Sequence, residues 1–243
     1  MKKFVFILVI CVCAFFVSSC KKSGVEGEGK IKVAGIIFQE DHFFRLVRFG
    51  MRDAAKRMGV ELLEANSNNK PDKEIQLVNT YIARGVDGIV ISPLSAKASQ
   101  RALKRANEQG IKIVTNNSTI EDDSIISSYV ESNQHKIAKK CGEAAANYIR
   151  DELGGKAKVA ILAYKSQIPE QSDIRTNGFK EQIADMEGVE IVAEQDAWLA
   201  EMSVRKTGDI LTANPDVNVI YCANEGGAIG AVMAVKNAGK AGA

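Results

Sequence analysis

The sequence predicts two open α/β lobes, each a doubly wound parallel sheet. From Ile31 onward, short apolar runs alternate with longer stretches of helical period. The strand-like runs are continuously apolar rather than alternating, which marks sheets covered on both faces. The same rhythm fills both halves of the chain, with a break between Asn117 and Asn133. Strands separated by helices mean parallel βαβ units with right-handed crossovers.

Lys32–Phe38 reads as the first strand. Phe44, Val47, Met51, Ala54, Ala55 and Met58 then recur at spacings of three and four, with Arg45, Arg48, Arg52 and Lys56 between them. That pattern is an amphipathic helix, and Gly59 is placed to end it. Val60–Ala65 is a strand, and Asp72 is the expected N-cap of a helix carrying Ile75, Val78 and Ile82 up to Gly85. Val86–Ile91, helix Ala96–Gln109 and strand Ile111–Thr115 follow, then strand Ile125–Val130. The second half repeats the pattern: helix Lys136–Glu152, strand Lys158–Ala163, helix Asp173–Asp185, strand Val189–Ala193, helix Glu201–Thr212, strand Val217–Cys222 and helix Gly227–Ala238.

The beginning of the chain reads as an address. Lys2 and Lys3 precede the apolar run Phe4–Val17, and Val17-Ser18-Ser19-Cys20 follows. A charged start, an apolar core and small residues at a cleavage point make a secretory signal over residues 1–19. Fourteen apolar residues fall short of the ~20 that a spanning helix needs. Residues 20–30 are polar and glycine-rich and read as a tether. Of 32 basic and 30 acidic side chains, two lysines lie in the leader, so the remainder is neutral. A neutral body has no electrostatic footprint for nucleic acid. Outside the leader and Cys20, only Cys141 and Cys222 remain. Both read as small buried hydrophobes rather than a disulfide, with pairing open, and no spacing suits a metal.

In open α/β sheets, ligands sit off the carboxyl ends of the strands. After the first strand comes Gln39-Glu40-Asp41-His42-Phe43-Phe44, without the glycines that a pyrophosphate requires. Phe44 lies on the apolar helix face and reads as core; Phe43 lies off it and is free to stack on an apolar ring face. Thr115–Thr119, with Asn117 and Ser118, suits a hydroxyl that both gives and takes, and equally an ordinary polar turn. Arg175 falls near an expected helix start, where the dipole prefers acids. It reads either as solvated or as a ligand group. Trp198, the only tryptophan, and Asn224-Glu225-Gly226-Gly227 complete the candidates.

Taken in order, Phe43-Phe44, Arg175-x-x-Gly178-Phe179, Trp198, Asn214-Pro215-Asp216 and Cys222-Ala223-Asn224-Glu225 resemble the type I periplasmic binding proteins for simple sugars. The resemblance runs from about Ile31 to Ala243. It implies two Rossmann-like lobes joined by a hinge, residues 31–132 and 133–243, closing on a sugar held between aromatics and hydrogen-bonded by charged and amide groups. Carried over, it gives Asp41, Phe43, Phe44, Asn117 and Ser118 as contacts from lobe one. Arg175, Trp198 and Asn224 come from lobe two, with Asn133 at the crossing between lobes. Val17–Cys20 likewise resembles a bacterial lipobox, which implies lipidation at Cys20 and a membrane anchor outside the cytoplasm. The implied partners are a sugar or polyol and the permease of an ABC importer, with no cofactor and a monomeric chain.

Three departures qualify the resemblance. His42 replaces a proline in a loop one residue shorter, which leaves the role of Gln39 open. Asn117-Ser118 replaces an acid-containing pair, so neither ribose nor galactose follows. The chain also stops at Ala243, where family members continue, so it reads as truncated, with lobe two short of a strand. A sensory receptor using the same binding event is the alternative. A nucleotide-dependent enzyme fails because Gly226-Gly227-x-x-Gly230 follows the wrong strand. A repressor with this fold would begin with a DNA-reading helix-turn-helix.

Overall fold

A computed structural model describes residues 29–240. The signal segment, the lipidation cysteine Cys20 and the tether up to residue 28 lie outside the described residues. Two parallel sheets form the scaffold. The first runs β2-β1-β3-β4-β5, built from β1 (Lys32–Ile37), β2 (Glu61–Asn66), β3 (Gly88–Ile91), β4 (Lys112–Asn116) and β5 (Ser128–Val130). The second runs β7-β6-β8, from β6 (Ala157–Ala163), β7 (Val189–Asp196) and β8 (Val219–Cys222). In each, the first strand is central, the next pairs on one side, and the chain then crosses to the other. The strand order therefore reverses between β1 and β3 and again between β6 and β8, and the adjoining strand ends leave crevices.

The helices are α1 (His42–Met58), α2 (Pro71–Ala83), α3 (Ala96–Glu108), α4 (Gln134–Asp151), α5 (Pro169–Lys180), α6 (Ala200–Ala213) and α7 (Glu225–Asn237). Their ends follow local chemistry. Asp41 caps α1 by accepting from Phe44 N, and Gly59 ends it at φ 68°, a conformation that a side chain would strain. Ser95 caps α3, Asn133 caps α4 and Asn224 caps α7, each through its side-chain oxygen.

Some boundaries differ from the sequence expectation. α2 begins at Pro71, with Lys70 at the cap position, so Asp72 lies in the first turn and caps nothing. α5 likewise begins at a proline, Pro169, four residues ahead of the expected Asp173. Proline suits the first helical position because its missing N–H has no partner there anyway. Arg175 is consequently in mid-helix rather than near a start. β7 extends to Asp196, while Asp123–Ile125 is a 3₁₀ turn that shortens β5 to three residues.

Alternation along the central strands divides the core. Ala34 and Ile36 join Ile89, Ile91, Leu103 and Ile113 in the first lobe. Ala160 and Leu162 join Ile210, Leu211, Val217 and Ala231 in the second. The opposite faces, Ile37 with Phe38 and Phe44 on one side and Val159 with Ile161, Phe179 and Tyr221 on the other, belong to one cluster running between the lobes. Within it, Phe179 stacks on Tyr221 at 4.0 Å and 9°. Cys141 is exposed on α4, against the expectation of a buried hydrophobe. Cys222 is half-buried, and burial pushes its thiol up to about 12. No described helix is long and apolar enough to cross a membrane.

Candidate functional site

The strand ends of both sheets meet around a cavity of about 290 Å³. From the first lobe it is lined by Phe38, Gln39, Asp41, Phe43, Phe44 and Asn117; from the second by Tyr164, Gln167, Gln171, Arg175, Asn224 and Glu225. Six of the nine expected ligand residues are therefore brought together: Asp41, Phe43, Phe44, Asn117, Arg175 and Asn224. The others lie elsewhere. Ser118 and Asn133 line a neighbouring cavity of about 570 Å³, and Trp198 lines one of about 410 Å³ with Asn69, Ser95 and Glu170.

Each of these side chains has local work as well. Asp41 accepts from Phe44 N at 2.8 Å and from the Gln39 amide. Phe44 is 3% exposed, tilted against Phe38 with centroids 4.3 Å apart, and belongs to the core while showing an edge to the cavity. Phe43, 42% exposed and edge-on to Phe44, leaves its face open to a guest. Asn117 adopts φ 63°, which asparagine tolerates better than most side chains. Ser118 donates its hydroxyl to Pro93 O at 2.7 Å.

Arg175 is tied down on the second lobe. Its Nε donates to Gln134 Oε1 at 2.8 Å and its Nη1 to Ala223 O at 2.7 Å, with the guanidinium 5.5 Å from the Tyr164 ring centroid. These bonds leave other guanidinium N–H groups to face the cavity, and they make Arg175 part of the lobe's frame. Asn224 is committed at both ends: Oδ1 accepts from Gly227 N at 3.0 Å, and Nδ2 donates to Trp198 O at 2.9 Å. It thereby anchors the Trp198 loop. The indole Nε1 is buried without a hydrogen-bond partner among the described residues.

Electrostatics at the cavity rim are set by Glu225. Burial raises its pKa, and Asp41 across the cleft raises it further, while His42 and Arg45 oppose. Burial likewise lifts the Tyr164 phenol well above its usual range, so it stays a neutral donor, here to Gln171 Oε1 at 2.9 Å. Among the described residues no cluster of His, Cys, Asp and Glu could hold a metal.

Gln167, Gln171 and Tyr164 escaped the sequence reading. Ile168-Pro169 was the available signal: a proline at the first helical position puts Gln171 and Arg175 four residues apart on one helix face. Gly226 and Gly230, considered as nucleotide-binding glycines, serve packing instead. A Cβ on Gly226 would lie 2.1 Å from Trp198 O, and one on Gly230 would lie 2.3 Å from Ala200 O. They let α7 press against the backbone that enters α6.

Comparisons with known proteins agree with this architecture. A sequence profile of the periplasmic binding protein domain matches residues 34–243. The ABC transporter periplasmic-binding protein YphF of Escherichia coli K12 is 31% identical over 221 residues, covering 88% of this chain and 67% of the relative. The ribose import binding protein RbsB of Bacillus subtilis 168 is 29% identical, over 82% of this chain and 63% of its own length. The chain thus spans about two thirds of these curated relatives. Among solved structures, an ABC transporter periplasmic solute binding protein of Actinobacillus succinogenes with bound D-allose superimposes with a TM-score of 0.78 at 30% identity, covering 88% of this chain and 76% of the other. By its profile and its fold, this chain belongs to the periplasmic binding protein family.

Proposed function

We propose that the protein is an extracytoplasmic receptor that captures a simple sugar or polyol between its lobes and hands it to the permease of an ABC importer. One observation carries this: Phe43 and Asp41 from one sheet, and Arg175 and Glu225 from the other, line a single cavity at the carboxyl ends of the strands. A sugar has apolar C–H faces and a rim of hydroxyls, which such a mixture suits. Relatives named for ribose and D-allose support the choice of ligand class. The lobes divide at residues 132/133, where the chain first crosses into α4. Asp41, Phe43, Phe44, Asn117, Arg175 and Asn224 form the binding set, joined by Trp198, whose cavity shares Gln167 with theirs. Ser118 and Asn133, which line the neighbouring cavity, complete the set of ligand residues.

The mechanism is a hinge equilibrium. A ligand that touches both lobes only when they are closed favours closure by its differential affinity, and the permease reads the closed shape. The ligand is bound and released unchanged. Micromolar binding corresponds to about −8 kcal/mol, within reach of several hydrogen bonds and one stacked ring after ordering costs. The protein acts as a monomer, exported and held at a membrane by lipid on Cys20. Loss of radiolabelled palmitate incorporation in Cys20→Ala tests the anchor.

A thermal-shift screen against D-ribose, D-allose, other monosaccharides and myo-inositol tests the receptor. At 100 times Kd a ligand adds about 2.7 kcal/mol of stability. Phe43→Ala should abolish that gain while leaving the unliganded melt nearly unchanged, since the ring is already 42% exposed. Arg175→Ala should also abolish it, but with a lower starting melt because two structural hydrogen bonds are lost. A panel in which no compound stabilises the chain would overturn the reading.

A further inference from the structure

We infer that Gln167 and Gln171 form an amide clasp across the cleft, which stabilises the closed arrangement of the lobes through bonds of its own, in addition to those a ligand makes. The inference rests on the hinge closure proposed above. Gln167, in the loop after β6, donates from Nε2 to Gln39 and to Asn69 Oδ1 (3.2 Å), both at strand ends of the first lobe. Gln171, in the first turn of α5, donates from Nε2 to the Asn117 carbonyl at 2.7 Å. All three bonds run from the second lobe to the first.

The chemistry fixes the direction of each amide. Asp41, when ionised, can only accept, so Gln39 must turn its NH₂ toward Asp41 and present its carbonyl to Gln167. Gln167 must therefore donate. Asn117 offers a backbone carbonyl, and the Tyr164 hydroxyl donates to Gln171 from behind, so Gln171 must also present its NH₂ to the first lobe. Gln39 is 6% exposed and Gln171 8% exposed. Buried amides so aligned are expensive to leave unpaired, which makes their pairing a force for closure. The two glutamines wall the 290 Å³ cavity without filling it, so the closed form retains room for one ring.

The test uses the full chain with labels on each lobe: the exposed Cys141 in the second, and Lys56→Cys, also exposed, in the first. Cys222 and the cysteines within residues 1–20 are replaced by alanine so that only these two positions carry labels. Pulsed dipolar spectroscopy on ligand-free protein should resolve a long, open distance and a short, closed one, whose ratio measures the hinge equilibrium. Gln167→Ala should raise the open-to-closed ratio at least about fivefold, and Gln167→Ala with Gln171→Met, which keeps the bulk but loses the donor, by tens of fold. Gln167→Glu, nearly the same size but without donors, should behave like Gln167→Ala. Unchanged far-UV circular dichroism shows that each variant is folded. An open-to-closed ratio equal to the parent chain's in all three variants, or a parent chain with no measurable closed population, would overturn the clasp. D-Ribose and D-allose titrations form a separate arm. A sugar that binds should dissociate faster from the variants by the same factor, and an unchanged dissociation rate would count against the clasp. If no sugar binds, the receptor reading fails while the ligand-free distances still decide the clasp.

Discussion

The two lobes repeat one arrangement, β2-β1-β3 in the first and β7-β6-β8 in the second, yet they finish it differently. The first adds β4 and β5, so that β3 is paired on both sides. In the second, β8 pairs only with β6 among the described residues. An apolar groove of about 750 Å³ lies along it, lined by Ile220, Cys222, Val232 and Val235. Ile229, Val232 and Met233 stand exposed on α7. The first lobe therefore draws its order from a wide sheet. The second depends more on helix against helix, through the close seam between α6 and α7 at Gly226 and Gly230.

That difference predicts unequal responses to small changes. Adding one methyl at Gly230 forces it to within 2.3 Å of Ala200 O and 2.4 Å of the Ser203 Cβ, where backbone must shift. Gly230→Ala should cost about 3 kcal/mol or more in urea unfolding. In the first lobe, Gly35→Ala meets the flexible Met51 sulfur at 3.0 Å and should cost about 1 kcal/mol or less. Equal costs would show that the lobes do not differ in this way.

A middle-sized effect should come from Asn224→Ala. It removes the α7 cap and the bond that holds the Trp198 carbonyl, for a loss of about 1–2 kcal/mol. Because Trp198 is the only tryptophan, its emission should shift at the same time. Unchanged emission would mean that the cap stabilises α7 without holding the indole.

The smallest effect at neutral pH concerns Glu74 in the first lobe, the one buried charged side chain among the described residues. It accepts from Leu94 N at 3.0 Å and from the Ser99 hydroxyl, and burial raises its pKa above 4.5. The folded chain thus holds this proton more tightly than the unfolded chain. Stability should rise as pH falls through the folded pKa, level off below about 4.5, and be lost again as pH rises. Glu74→Gln can still accept from Leu94 and turn its NH₂ to Ser99. It should stay within about 1 kcal/mol at pH 7 and remove this part of the pH slope. A slope identical to the parent chain would mean that Glu74 does not titrate in this range.

Much of the fold was legible because its signals are local. The apolar run Lys32–Phe38 and the spacing from Phe44 to Met58 each report on a few neighbours. Boundaries at Pro71 and Pro169 were missed because acidic caps nearby competed with proline as start signals, and that error hid Gln171. The six residues sharing the cavity could be named from strand ends. The separation of Trp198 and Ser118 from it depends on how two sheets meet, which no local pattern encodes. Gly226 and Gly230 carry the same lesson: their spacing is visible, but the carbonyls of Trp198 and Ala200 that require them come from another helix.

Asp41 also gives the amide chain between the lobes a polarity. With an acceptor-only group at one end, every amide in the line faces one way. Asp41→Asn would let Gln39 turn over, and its reversed carbonyl would leave Gln167 facing a donor. A mutation that leaves Gln167 itself unchanged would thus alter how tightly the far lobe is held, so sequence drift at this helix cap would tune affinity through the amide line as well as through Asp41's own place at the cavity.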